Sequence, residues 1–124
     1  MNNSPKIYSE LEKSVPHIIV EIIEYVPNSV LSRTIIKKTT GNITAMAFDM
    51  GEELTERILP FDSFVQVIDG SAEILIDKKS TTLQLGEGLI IPAHALSMLK
   101  ANQRFKIILS VIKSGYDDGP GLNL

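Results

Sequence analysis

Short runs of β-favouring residues follow one another between about residue 30 and residue 112, each separated from the next by residues typical of turns. No helical pattern interrupts the series. About nine strands at such close spacing predict an antiparallel sandwich or barrel. The predicted strands are residues 30–37, 43–49, 54–60, 63–69, 72–77, 80–85, 89–92, 95–101 and 104–112.

The two faces of these predicted strands differ in character. In residues 104–112 every second position is apolar, and successive side chains of a strand point to opposite faces, so the apolar set is predicted to face the core. That set is Phe105, Ile107, Leu109 and Val111. In residues 63–69 both faces carry apolar residues, with Phe64 and Ile68 on the outer one. We expect this outer face to be covered, either by a second subunit or by the N-terminal segment.

Two local signals add to the pattern. Residues 17–25 place apolar side chains at positions 18, 19, 22 and 23, which is helical spacing, and prolines bound the segment on both sides. We therefore predict a short N-terminal helix there. The dipeptide Asp69-Gly70 predicts a tight hairpin, because both central positions of such a turn need positive φ.

Composition excludes several kinds of site. The chain has no cysteine and only two histidines, His17 and His94, so thiol chemistry and a three-histidine metal site are excluded. The net charge is −3, and the basic pair Lys37-Lys38 is too short to favour nucleic acid or a membrane surface. Neither a signal peptide nor a membrane span is evident. We expect a cytoplasmic protein without nucleic-acid or membrane partners.

Two stretches carry a recognisable motif. The first runs from Gly51 to Gly70, and the second from Gly86 through Pro92 to Ser97. They resemble the two motifs of the cupin superfamily. The first family motif has a glycine, His-x-His, a glutamate and a second glycine, and the second has a glycine, Pro-x-Gly and a histidine. The glycine and proline framework stands at the family's spacings, as in small single-domain cupins of the conserved-barrel (cupin 2) type.

The resemblance implies an all-β fold, an antiparallel double-stranded β-helix (a jelly roll or cupin barrel), to which the short N-terminal helix is added. At 124 residues the chain fits one domain. The predicted organisation is an N-terminal extension over residues 1–27, the barrel over 28–113 and a flexible tail over 114–124. Small cupins commonly pair, so the resemblance also implies a homodimer.

The family's metal chemistry does not carry over to these residues. The positions of its metal ligands are occupied here by Arg57, Leu59, Ser63 and Ser97. A guanidinium keeps its proton and repels a cation, leucine has no donor atom, and a serine hydroxyl is a weak ligand. We therefore predict no metal and no other cofactor. A site rebuilt from His94 and Asp62 would have only two ligands on turns, so solvated surface positions are the favoured interpretation of both.

An arginine at an inward position suggests a different ligand. A guanidinium matches carboxylate or phosphate with two parallel hydrogen bonds, so a small anionic or polar molecule is the hypothesis for the site. The candidate binding residues are Arg57, Leu59, Ser63, His94 and Ser97. In one alternative, Arg57 reaches the barrel rim and pairs with a carboxylate there. The carboxylates considered are Glu52, Asp62 and Glu87. In the other, apolar side chains fill the interior and leave no cavity.

Three functions are compatible with the sequence. We favour a metal-free cupin that binds a small molecule or has a structural or regulatory role, and we assign no catalytic residue. The second is a metal-dependent cupin enzyme, such as a dioxygenase or isomerase, with a non-standard site. The third is a metal-free enzyme of the sugar-epimerase kind, which needs a histidine base and a tyrosine acid in the pocket. Neither histidine matches such a position by spacing.

Overall fold

The computed structural model describes residues 10–116, and in this range the chain forms nine β-strands. They lie where the sequence predicted them, with boundaries that differ by at most two residues. The strands are β1 (Val30–Lys38), β2 (Gly41–Phe48), β3 (Glu53–Ile58), β4 (Asp62–Gly70), β5 (Ala72–Ile76), β6 (Lys79–Leu83), β7 (Gly88–Ile91), β8 (Leu96–Lys100) and β9 (Phe105–Ile112).

The strands form two antiparallel sheets that face each other. One has five strands in the order β1-β2-β9-β4-β7, and the other has four in the order β3-β8-β5-β6. The chain changes sheet repeatedly, for example from β2 to β3 and from β4 to β5. This is the predicted antiparallel jelly-roll barrel, so the fold class is confirmed. Within residues 10–116 no helix has the length and apolar character needed to cross a membrane.

The core lies between the two sheets and is densest at one end of the barrel. There the rings of Phe48 and Phe105 stack with centroids 4.4 Å apart, and both side chains are fully buried. Every inward position predicted on β9 is buried, as the alternation required. Apolar side chains from both sheets complete this cluster, among them Val65, Val67, Ile74 and Leu99.

The predicted hairpin at Asp69-Gly70 is wrong. β4 ends at Gly70 in the five-stranded sheet, and β5 begins at Ala72 in the other, so the two strands do not pair. Positive φ is needed here for a different reason, because the chain turns between sheets while Gly70 passes close to the backbone carbonyl of Arg104. The two-residue hairpin is instead Asp77-Lys78, both at positive φ, which joins β5 to β6.

The predicted N-terminal helix is also wrong, since its only helical residues form a short 3₁₀ helix at Ile19–Glu21. Backbone carbonyl groups of this segment accept hydrogen bonds from side chains of the barrel instead of from further helical turns. The Lys106 side chain donates to the carbonyl of Val20 at 2.7 Å, and Arg33 donates to that of Ile22 at 3.0 Å. This segment packs Ile23 against the outer face of the five-stranded sheet. Tertiary contacts therefore override the helical spacing.

The N-terminal segment covers only part of the outer face of β4. The Tyr25 hydroxyl donates to Asp69 at 2.6 Å, and the 3₁₀ helix contacts the same strand. At the other end of β4, Phe64 is 43% exposed, and its cross-strand neighbour on β7, Ile90, is 64% exposed. Of the predicted C-terminal tail, residues 117–124 lie outside the described residues.

We expect Gly70→Ala to lower the free energy of unfolding by about 3 kcal/mol, because an added Cβ would meet a backbone oxygen at 2.2 Å and φ is +72°. Gly51→Ala is the matched control. Gly51 has φ of +87° and nothing within 4 Å of an added Cβ, so its variant should lose only about 1 kcal/mol. Urea unfolding of both variants measures the difference, and equal losses would contradict the close contact at Gly70.

Candidate functional site

A β-bulge turns Arg57 towards the barrel interior. Leu54 of β3 pairs with Leu99 of β8, whereas Arg57 pairs with Ser97, so β3 advances three residues while β8 advances two. Leu54 packs against the core, and strict alternation from it would send Arg57 outward. The extra residue reverses the face, as bulges do where a side chain must be re-aimed. Arg57 is consequently half-buried, whereas its neighbour Glu56 is exposed.

The structure brings the four family ligand positions together. A very small cavity of about 10 Å³ is bounded by side chains from β3, β4, β8 and the segments that join them. Its lining includes Arg57, Leu59, Ser63 and Ser97. Ser63 is buried, and it stands opposite both Ile91 and Val111 in the sheet. A space of this size holds about one water molecule.

A much larger cavity of about 350 Å³ lies on the side of Arg57 that faces β1, β2 and β9. Its lining combines apolar side chains with uncharged polar groups and two cations. The residues are Ser32, Asn42, Thr44, Met46, Arg57, Leu59, Phe61, Leu109, Val111 and Lys113. The interior is thus neither completely filled nor centred on the family's metal position.

Asn42, Thr44 and Lys113 line this cavity but were not predicted from the sequence as site residues. The alternation of side chains along β2 and β9 could have identified them. Lys113 continues the inward series of β9 by one further step, and Asn42 and Thr44 share a face of β2 with buried Met46. Inward positions that become polar towards one end of a barrel indicate an interior that is not filled by apolar packing at that end.

Arg57 has no anionic partner among the described residues. The ion pair found within residues 10–116 joins Arg104 to Asp49 at 3.3 Å, so the predicted rim pairing of Arg57 is not formed. The Asp62 and Glu87 carboxylates instead accept backbone N–H groups of Ala93 and Gln84.

Burial alone lowers the pKa of the Arg57 guanidinium, with no hydrogen bond or charge offsetting that shift. A guanidinium nevertheless stays protonated at any ordinary pH. The larger cavity is lined by Arg57 and Lys113 but by no carboxylate. It therefore presents positive charge without a balancing acid in its walls.

His94 lies apart from both cavities, although the sequence analysis included it among the candidate binding residues. Its side chain is exposed, and it lines neither of them. Its backbone N–H donates to the carbonyl of Leu59 at 2.7 Å, and its φ is +71°. This is the position of the glycine in the family's second motif, and the left-handed backbone explains why glycine suits it. His94 thus shapes the turn that closes this end of the barrel.

The residues at the motif positions do not fit a metal ion. They supply a guanidinium, an isobutyl group and two hydroxyls, a set without an anionic or imidazole donor. No group of three or more histidine, aspartate or glutamate side chains able to hold a metal occurs within the part of the chain that the structure describes.

Solved structures with this architecture are numerous. A conserved protein of unknown function from Streptococcus pyogenes is 25% identical and superposes with a TM-score of 0.81, covering 92% of this chain and 100% of that one. A cupin 2 conserved barrel domain protein from Leptotrichia buccalis is 28% identical with a TM-score of 0.73, over 76% of this chain and 46% of that one. These matches agree with the motif framework described above. The chain has the fold of the small single-domain proteins of the cupin superfamily.

Other solved structures share the fold of this protein but indicate no function for it. A salicylate 1,2-dioxygenase from Pseudoaminobacter salicylatoxidans matches over 67% of this chain and 25% of that one, with 16% identity and a TM-score of 0.63. At that identity the likeness concerns the barrel alone. No protein-family model matches the sequence, and no curated protein matches it.

Proposed function

We propose that this cupin is a small-molecule-binding domain that holds an acidic ligand through Arg57. The observation that carries the proposal is the half-buried Arg57 guanidinium, which lines a cavity of about 350 Å³ and has no carboxylate partner among the described residues. The cavity volume lies within the range of small-molecule sites in proteins. Its walls also have the usual character of such sites, mostly apolar with a few polar groups.

The charge of Arg57 supports an anion in particular. A partly desolvated cation without a partner is costly for the folded protein, and an anion entering the cavity offsets that cost. A carboxylate or phosphate can accept two parallel hydrogen bonds from a guanidinium. The hydroxyls of Ser63 and Ser97 line the small adjoining cavity and can hold a water or a ligand oxygen beside Arg57. In this proposal Leu59 supplies apolar contact, because it lines both cavities.

An enzyme of the metal-free epimerase kind has less support. Neither cavity is lined by a histidine or a tyrosine. His17 is half-exposed in the N-terminal segment, where its ring contacts the carbonyl of Glu12 at 3.0 Å. Tyr25 lies on the outer face with its hydroxyl committed to Asp69. A general acid–base pair therefore has no candidate within the lining.

We expect Arg57→Gln to weaken the binding of a small carboxylate by about tenfold to a hundredfold, because a charge-assisted pair of hydrogen bonds is lost. Isothermal titration of a panel of small carboxylates and phosphates against the wild type and the variant measures this. Arg104→Gln is the matched control, since Arg104 is an exposed arginine that lines neither cavity, and its variant should bind like the wild type.

Arg57→Lys sharpens the same experiment. A lysine keeps the charge but not the planar fork, so its variant should bind between the wild type and Arg57→Gln. If no carboxylate or phosphate binds to the wild type, the proposed function is wrong. If binding is present and Arg57→Gln leaves it unchanged, another part of the protein holds the ligand.

A metal-dependent enzyme with a non-standard site is the competing function, and metal content tests it directly. We expect protein purified without added metal to contain much less than one equivalent of any transition metal by elemental analysis. The expectation rests on the lack of metal-fitting donors at the motif positions. One equivalent of bound metal that survives dialysis would favour the metal-dependent alternative.

We also propose that the protein is cytoplasmic and that it forms a homodimer through the exposed patch at Phe64 and Ile90. These side chains lie at the β7 edge of the five-stranded sheet and border a groove of about 210 Å³. We expect sedimentation velocity to give a dimer for the wild type, and Ile90→Asp to shift it towards monomer by placing a charge in the contact. Met50→Asp, a substitution of another exposed apolar side chain in the turn after β2, should leave the dimer intact. A monomeric wild type would contradict the proposal.

A further inference from the structure

The larger cavity contains a second cation, Lys113, that the motif positions do not include. Lys113 follows the last residue of β9 and is half-buried. Its backbone N–H donates to the carbonyl of Thr40 at 2.7 Å, which ties this end of the chain to the β1–β2 turn. The residue therefore has a defined place at the rim of the cavity.

Arg57 and Lys113 line the cavity at different depths along the barrel. Arg57 borders the small cavity together with Ser63, and Ser63 is level with Val111 in the sheet. Lys113 lies two residues beyond Val111, which is about 7 Å further towards the open end at the rise of a β-strand. The two residues thus stand at different levels along the barrel axis.

On the five-stranded sheet, apolar and polar side chains of the cavity wall lie next to each other. Val111 and Leu109 of β9 and Phe61 before β4 provide the apolar contacts. Asn42 and Thr44 of β2 stand directly beside Val111 and Leu109, respectively, and add an amide and a hydroxyl. Neither end of the cavity has a carboxylate in its lining.

We infer that the ligand is a small dianion, a dicarboxylate whose two acidic groups are joined by a short apolar segment. This inference rests on the proposed function, because it assigns the first acidic group to Arg57. The second acidic group pairs with the Lys113 ammonium at the rim. The connecting segment lies against Val111 and Phe61, where methylene groups lose water at no cost in hydrogen bonds.

A monoanion satisfies only one of the two cations. Lys113 keeps part of its hydration in the free protein because it is only half-buried, so a monocarboxylate still binds at Arg57. A second charge-assisted hydrogen bond is expected to raise the affinity of the matched dicarboxylate by about tenfold.

The test compares acids of equal carbon number, succinate with butyrate and adipate with hexanoate, by isothermal titration. In the wild type we expect at least one dicarboxylate to bind about tenfold more tightly than its monocarboxylate partner. In Lys113→Gln this preference should disappear while the affinity for the monocarboxylate stays the same. Lys79→Gln, which removes an exposed positive charge from β6 outside the cavity lining, should retain the preference.

Lys113→Arg should also retain the preference, and its thermal unfolding, with that of Lys113→Gln, shows whether each variant is folded. Equal affinities within both pairs in the wild type, or a preference that survives in Lys113→Gln, would overturn the inference and leave the binding of monocarboxylates at Arg57 intact. If none of the four acids binds to the wild type, this inference is overturned, and the phosphates and other carboxylates of the panel described above decide the proposed function.

Discussion

The stacking of Phe48 on Phe105 is the contact on which the barrel depends. The two rings lie on adjacent strands of the five-stranded sheet and project into the space between the sheets. Around them the inward positions of both sheets are apolar, with Val67 and Ile74 fully buried. Burial of this apolar surface holds the sheets together at one end. The other end is not drawn together in the same way, because its inward positions include polar and charged side chains.

The cavity arises because the inward side chains change from apolar to polar along the strands. On β2 the inward series runs from buried Phe48 and Met46 to half-exposed Thr44 and Asn42, and on β9 it ends at Lys113. Polar groups that would lose hydrogen bonds on close packing keep their hydration by leaving space between the sheets. Arg57 enters this space only because the bulge in β3 reverses its face. A cation has thus taken the place in the barrel where related motifs provide donors for a metal.

The outer face of the five-stranded sheet is stabilised by polar contacts to the N-terminal segment as well as by apolar ones. Lys106 is buried there and donates to the carbonyl of Val20, with its ammonium 5.0 Å from the centre of the Tyr25 ring. Burial and the hydrogen bond to Asp69 raise the pKa of Tyr25, so its hydroxyl remains a donor even at alkaline pH. These contacts hold the segment at the Asp69 end of β4, so it does not cover Phe64 at the other end.

Period-two patterning and turn residues in the sequence determined the nine strands, the inward faces and an antiparallel sandwich or barrel, and the resemblance of two motifs to those of cupins added the jelly-roll class. These are local or repeated signals, since the side-chain alternation of a strand is set by its backbone. The replacement of the family's metal ligands was readable from the sequence once the two motifs were aligned with those of the family. The short helix at residues 17–25 and the hairpin at Asp69-Gly70 were predicted wrongly, because contacts with distant strands decide the backbone at both places. Only the tertiary structure placed Lys113, Asn42 and Arg57 around one cavity, since which sheet a strand joins and where a bulge falls depend on packing between residues far apart in the chain.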